Sequence, residues 1–144
     1  MSTSPTPQLA TDIIIRLTDH PGSDVVMIQR QNPPYGWALP GGFVDVGEST
    51  ARAAQRETLE ETGLTVRLTH LLDVYSDPGR DPRGHAVSVV YVAEAEGTPE
   101  ARSDAAAVQV FSLDELPRQI AFDHEKILAD YQAFISGRRE AIRL

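Results

Sequence analysis

Apolar positions come in short runs broken by polar, glycine- and proline-bearing segments, and two stretches switch to helical spacing. Thr11 to Leu17 (TDIIIRL) is continuous and β-branched, which predicts a buried strand. Asp19 to Asp24 (DHPGSD) is a turn, and Val25 to Gln29 (VVMIQ) is a second strand, so the pair predicts a hairpin. Asn32 to Gly36 is a loop, followed by the short apolar Trp37-Ala38-Leu39 and then Pro40-Gly41-Gly42. A helix follows, with Ser49 or Thr50 as its cap, Gly63 as its end, and Ala51, Ala53, Ala54 and Leu59 as a small apolar face. Leu64 to Tyr75 alternates loosely and predicts a strand whose inward set is Val66, Leu68, Leu71 and Val74. After a polar loop from Ser76 to Gly84, His85 to Glu94 is a strong strand, residues 97–105 a loop and Val108 to Phe111 a short strand. Leu113 to Leu116 predicts one helical turn. Asp123 reads as the cap of a last helix from His124 to Ser136, with Ile127, Leu128, Tyr131 and Ile135 at helical spacing. Strands, helix, strands, helix: this order predicts a mixed α/β or α+β sandwich with helices on a sheet.

The length, 144 residues, fits one domain with a real core, residues 1–144, in which 1–10 read as a frayed tail. Net charge is −8 and the basic residues form no long run. That argues against nucleic-acid and anionic-membrane partners but leaves small phosphorylated ligands open. With no cysteine, disulfides, thiolate catalysis and zinc–thiolate sites are excluded. MSTSPTPQLA has neither a basic nor an apolar leader region, and the longest apolar run is too short to span a membrane; a cytoplasmic protein is the expectation.

Candidate chemistry lies in the first helix. Glu57, Glu60 and Glu61 fall at i, i+3 and i+4 and share one face. Like charges so spaced repel by about 0.2–0.5 kcal/mol per pair. They also crowd the C-terminal end before Gly63, where the helix dipole favours cations, and no lysine follows in that turn. A bound divalent cation makes the arrangement favourable, and hard cations such as Mg²⁺ take oxygen ligands of this kind. Gly41-Gly42, just before, permits φ > 0 or close approach of the backbone to a ligand. The loop is neither a Walker A sequence nor GxGxxG, so no P-loop lysine holds a phosphate here. Glu48 sits at the helix start, and Arg56 is expected to pair with it or to tie Glu60.

The spacing Gly42, Glu48, Arg56-Glu57, Glu60-Glu61, Gly63-Leu64 resembles the box of the Nudix hydrolases, with Thr58 standing where that family usually has an aliphatic residue. The resemblance implies an α/β/α sandwich with a mixed sheet and a catalytic loop-helix-loop, which hydrolyses a nucleoside diphosphate linked to another group. It implies that Glu57, Glu60 and Glu61, with the Gly42 carbonyl, hold Mg²⁺ or Mn²⁺. Glu57 is also the candidate for orienting or deprotonating water, and Glu48 and Arg56 form a supporting salt bridge. Asp104 is the best-placed acid for a base outside the box, although a loop aspartate is more often a turn former.

The flanks, Gly36 to Asp45 and Ser76 to His85, with Ser88-Val89-Val90 and Phe122-Asp123-His124, are similar to small prokaryotic ADP-ribose pyrophosphatases. This resemblance implies ADP-ribose as substrate, a homodimer, and a substrate-binding set of Arg80, Arg83, Trp37, Gly41, Gly42 and Phe43. Arginine forks suit phosphate oxygens, but Arg80 and Arg83 equally suit pairing with Asp77 and Asp81 inside their own loop. Trp37, with Tyr35, fits either a stacking platform or, for Trp37, the core. His85 reads as a hydrogen-bonded structural residue and Asp123 as a helix cap. Oxidised nucleoside triphosphates, several nucleotide sugars, or a non-catalytic nucleotide sensor are the alternatives.

Overall fold

A computed structural model describes residues 5–102 and 105–144. Its elements are β1 (Gln8–Leu17), β2 (Asp24–Arg30), β3 (Trp37–Ala38), β4 (Gly41–Phe43), α1 (Thr50–Thr62), β5 (Arg67–Tyr75), β6 (Ala86–Ala95), β7 (Ala105–Ser112), α2 (His124–Ile135) and β8 (Ile142–Arg143). A five-stranded mixed sheet runs β4-β1-β6-β5-β8, with β1 and β6 parallel, and a three-stranded sheet runs β3-β2-β7. Among the described residues, no helix is long and apolar enough to cross a membrane.

The isoleucine run of β1 explains the layering. Ile13 and Ile15 point into a cluster with Ala54 of α1, Val26, Leu64, Tyr91 and Ala93. Ile14 points the other way, into a cluster with Ile127, Leu128 and Tyr131 of α2, Met27, Leu39 and Val92. A strand buried on both faces has no polar side to give to solvent, hence the unbroken apolar run.

Several expectations are corrected here. β1 and β2 form no hairpin: both edges of β1 are taken, one by β4 and one by β6, and the polar segment between them carries the chain to the other sheet. β1 starts at Gln8, inside the stretch expected to be a tail. In β5 the inward set is not a simple alternation, because register shifts between Leu68 and His70 and between Leu71 and Asp73 bury Leu72 and Tyr75 and leave Val74 exposed. Leu113 to Leu116 forms a turn, not a helical one. Ile135 ends α2 exposed.

Helix α1 has the expected caps. Ser49 Oγ accepts the Arg52 N–H at 3.1 Å, and Gly63 closes the helix at φ 74° with its N–H donated to Leu59 O. Its buried face differs from the expected one. Leu59 is exposed, whereas Thr58 and Thr62 are fully buried, each hydroxyl donating to the carbonyl four residues back, Ala54 O at 2.8 Å and Thr58 O at 2.7 Å. That back-bonding satisfies the hydroxyls, so threonine substitutes for an aliphatic residue at position 58 without an orphaned polar group.

Candidate active site

The site begins with two glycines in a strand. β4 pairs antiparallel with β1, setting Gly41 against Asp12 and Gly42 against Thr11. Neither glycine has a positive φ; what both positions need is the absence of a side chain. A Cβ on Gly41 would lie 2.2 Å from the Thr11 carbonyl oxygen, and one on Gly42 would lie 2.5–2.7 Å from the Glu57 carboxylate. The Gly41 N–H donates to Glu61 Oε1 at 2.8 Å. Two acids of α1 therefore press directly on the backbone of β4.

Arg56 organises the entrance. Its Nε and Nη2 form a fork on Glu48, at 2.7 and 2.9 Å. Nη1 donates to Glu57 at 2.8 Å and to Glu60 at 3.5 Å, and Nη2 reaches the Phe43 carbonyl at 3.2 Å. The Arg56 fork and the Asp45 N–H hold the Glu48 carboxyl down at about 2, and Glu48 raises Arg56 in turn. The other acids move upward. Burial raises Glu57 against the pull of Arg56, with Glu60 and Asp45 adding to the rise. Burial likewise pushes Glu61 up to about 8, helped by the charges of Glu57 and Asp12 and opposed by the Gly41 N–H.

The C-terminal carbonyls of the helix are satisfied from outside it. No basic residue lies in its last turn, but the segment after β6 folds back over it. Glu100 N–H donates to Thr62 O and Arg102 N–H to Glu61 O, and the Arg102 guanidinium lies against Gly63 at the negative end of the dipole.

Glu57, Glu60 and Glu61 open into one cleft of about 340 Å³, shared with Arg30, Gly41, Gly42 and Arg83. Among the described residues, no three His, Asp or Glu side chains converge into a closed cation cage; Glu57 and Glu60 lean on Arg56 instead. The donor set still fits a hard divalent cation. It is all carboxylate oxygen, and two of its members, the buried Glu61 and the half-buried Glu57, are acids whose charged form is disfavoured where they lie.

A pH dependence follows for the metal-free protein. Glu61 has a folded value of about 8 against an ordinary 4.5, so between these limits the folded chain holds more protons than the unfolded one. Its contribution to stability is complete below pH 4.5 and is lost as pH rises through 8. In a chelator, the melting temperature is expected to fall from pH 5 to pH 8.5, and less steeply in Glu61→Gln. Parallel slopes in the two proteins would refute this.

The opposite wall holds the arginines. Arg83 is forked onto Asp81, with Nε at 3.1 Å from Oδ1 and Nη2 at 2.9 Å from Oδ2, and it lies over the rings of Phe43 and Phe122. Arg80 also lines the recess behind the cleft, but it is buried and its fork is spent on Asp123, at 2.9 and 2.7 Å. This corrects the expectation for Asp123, whose side chain makes no capping hydrogen bond to α2. It also corrects the alternative that Arg80 pairs inside its own loop.

Other expected residues lie elsewhere. Trp37 does not line the cleft; it packs edge-on against Phe111, 4.9 Å between centroids, beside the α2 core. Its expected stacking role has no support in this placement. His85 is a structural residue, Nε2 meeting the Ser76 carbonyl at 3.0 Å. Asp104 lies outside the described residues.

Sequence reasoning missed a buried polar knot under the recess. Asp12 Oδ2 accepts from Ser88 Oγ at 2.5 Å and lies 3.5 Å from His124 Nε2 and 3.8 Å from Arg80. His124 Nδ1 accepts the Leu39 N–H at 2.9 Å, which leaves Nε2 to carry a proton toward Asp12. Burial works to raise Asp12, but His124, Ser88 and Arg80 together hold it below its ordinary value. The available signal was Asp12 itself, an acid inside TDIIIRL, which a fully buried strand tolerates only with partners.

With this geometry in view, comparison with known proteins decides the family. A model described as the NUDIX domain matches residues 6–131. The chain belongs to the Nudix family. Members of this family generally use a divalent metal. This Nudix chain is 43% identical, over 91% of its length and 76% of the relative's, to an ADP-ribose pyrophosphatase of Methanocaldococcus jannaschii. It is 37% identical over 62% of its length to the ADPR responsive transcriptional repressor NtrR of Acinetobacter baylyi, of which it spans 37%. Its fold is similar to that of a MutT/nudix family protein from Enterococcus faecalis, with a TM-score of 0.80, 30% identity, and coverage of 94% of this chain and 65% of that one.

Proposed function

We propose that this chain hydrolyses the diphosphate bond of ADP-ribose, yielding AMP and ribose 5-phosphate, with Mg²⁺ held by Glu57, Glu60, Glu61 and the Gly42 carbonyl. The observation that carries the reading is the buried Glu61 and the half-buried Glu57, both pressed on Gly41-Gly42 and opening with Glu60 into a cleft that also holds Arg30 and Arg83. The ADP-ribose assignment draws on the similarity to the archaeal pyrophosphatase.

A bound divalent cation supplies neutralisation of diphosphate oxygens and a more acidic water. The chain supplies the rest. Arg83, held by Asp81 through Nε and Nη2, is half-exposed and keeps Nη1 and the outer N–H of Nη2 for an anion in the cleft that the acids line. Glu57 is the acid placed to orient or deprotonate water, and Arg56 and Glu48 fix its helix to β4. Gly41 N–H fixes the Glu61 carboxylate. A homodimer is part of the proposal on family resemblance alone; a sedimentation profile showing only monomer would remove it.

A second reading, a nucleotide-binding sensor, draws on the partial match to the repressor and on the turning of Glu57 and Glu60 toward Arg56. One experiment separates the readings. Purified protein with Mg²⁺ is offered ADP-ribose, NADH, diadenosine polyphosphates, sugar nucleotides and oxidised dGTP. ADP-ribose is expected to give the highest kcat/KM. A higher value for oxidised dGTP would reassign the substrate, and binding of ADP-ribose without turnover would make the chain a sensor.

A further inference from the structure

Phe122 has the only positive φ of any non-glycine residue among the described residues, 57°. A bulky side chain in the left-handed region is a genuine outlier, and such outliers persist only where their surroundings over-determine them. The surroundings here do so. Ala121 N–H donates to Trp37 O at 2.8 Å, Asp123 is clamped by the buried Arg80, and His124 is tied to Leu39. With both neighbours pinned, the ring of Phe122 is directed into the recess beside the cleft.

Two guanidiniums lie over that ring, Arg30 at 4.8 Å and Arg83 at 5.2 Å from its centroid. Arg83 also lies 5.6 Å from the Phe43 ring and is held at one edge by Asp81. Arg30 gives its side-chain hydrogen bonds to the carbonyls of Pro34 and Pro33, and among the described residues no carboxylate pairs with it. Two like charges gathered on one ring repel. Burial and the nearby Arg83 charge both lower Arg30. An acid in place of Phe122 would neutralise the pair and occupy its donors. A ring attracts both cations through its face and leaves their N–H groups available.

We propose that Phe122 is a positioning residue, which holds Arg30 and Arg83 as a spaced guanidinium pair for the diphosphate of the substrate. The proposal rests on the diphosphate-hydrolase reading above, but not on ADP-ribose as the substrate. Phe122 touches no reacting atom in this scheme; it acts through the two arginines.

The test compares Phe122→Leu, which fills space without a ring, with Phe122→Tyr, which keeps the ring. The readouts are the Kd for inorganic pyrophosphate with Mg²⁺, by calorimetry, and the kinetics on ADP-ribose. Phe122→Leu is expected to weaken pyrophosphate binding and raise KM by roughly tenfold, with kcat little changed, and Phe122→Tyr to restore both. Pyrophosphate affinity unchanged in Phe122→Leu, or a loss confined to kcat, would overturn the proposal. Should the leucine variant not fold, Phe122→Met takes its place with the same expectations. Wild-type protein inert on ADP-ribose, yet binding pyrophosphate in a Phe122-dependent way, would sink the substrate assignment and uphold the positioning role.

Discussion

Glu57→Gln is expected to lower kcat by roughly 10²–10⁴-fold, the range lost when a positioned acid–base group is removed, and Glu61→Gln to lower it by orders of magnitude through loss of a charged metal ligand, both while leaving the fold intact. Both substitutions keep size and shape. The amide that Glu61→Gln introduces retains an oxygen for the Gly41 N–H, so the hydrogen bond at 2.8 Å is replaceable while the negative charge is not. That charge is costly in the metal-free protein, since burial already pushes the Glu61 carboxyl up to about 8. Glu61→Gln should therefore melt no lower than wild type in chelator at pH 8, and the activity loss cannot be put down to unfolding. Glu57→Gln gives up an ion pair with Arg56, but Arg56 keeps its fork on Glu48. The measurement is steady-state kinetics with a matched thermal melt. Full activity in either variant would detach the acidic face of α1 from the chemistry.

What the sequence showed and what it hid divide along one physical line. The acidic face of α1, its caps and the Glu48–Arg56 pair are local in the chain, set by helical spacing and terminal chemistry, and they were legible. The strand pairing of β1 was not. TDIIIRL announces burial on both faces but not which strands take its edges, and the short link to β2 misled because β4 and β6, far along the chain, occupy them. The role of Gly41-Gly42 was legible in kind, as close approach, but what approaches Gly41 is the Thr11 carbonyl and what approaches Gly42 is the Glu57 carboxylate. Asp123 is a fair helix cap by position; its employment by Arg80, from a loop after β5, depends on the tertiary fold. Trp37 was an even choice between core and platform, and its contact with Phe111, two strands away in the same sheet, sets it partly buried against the core. Phe122 gave no sign of its backbone conformation, because nothing in a phenylalanine's chemistry asks for a positive φ.

Arg80→Met is expected to destabilise the protein by about 3–5 kcal/mol, the usual result of removing one partner from a buried ion pair. Methionine fills the aliphatic space of the arginine, so packing loss is the smaller part. The larger part is electrostatic. The Arg80 side chain is only 4% exposed, and its departure leaves Asp123 without two short hydrogen bonds and Asp12 without a nearby cation. Asp12 is then a buried carboxylate with Ser88 and His124 as its remaining support. The double variant Arg80→Met, Asp123→Asn removes both charges of the main pair and should recover a substantial part of the loss; urea denaturation of the four proteins in the cycle gives the coupling. A loss below about 1 kcal/mol would place the pair with exposed salt bridges and contradict its burial. If the single variant kept its stability but lost affinity for ADP-ribose, Arg80 would be a substrate ligand after all. The two outcomes differ because Arg80, buried as well as forked onto Asp123, has little to offer a phosphate, unlike the half-exposed Arg83. The stability that Arg80 supplies is also what pins Asp123, and through it the strained turn at Phe122, so Asp123→Asn alone should loosen pyrophosphate binding less than Phe122→Leu does.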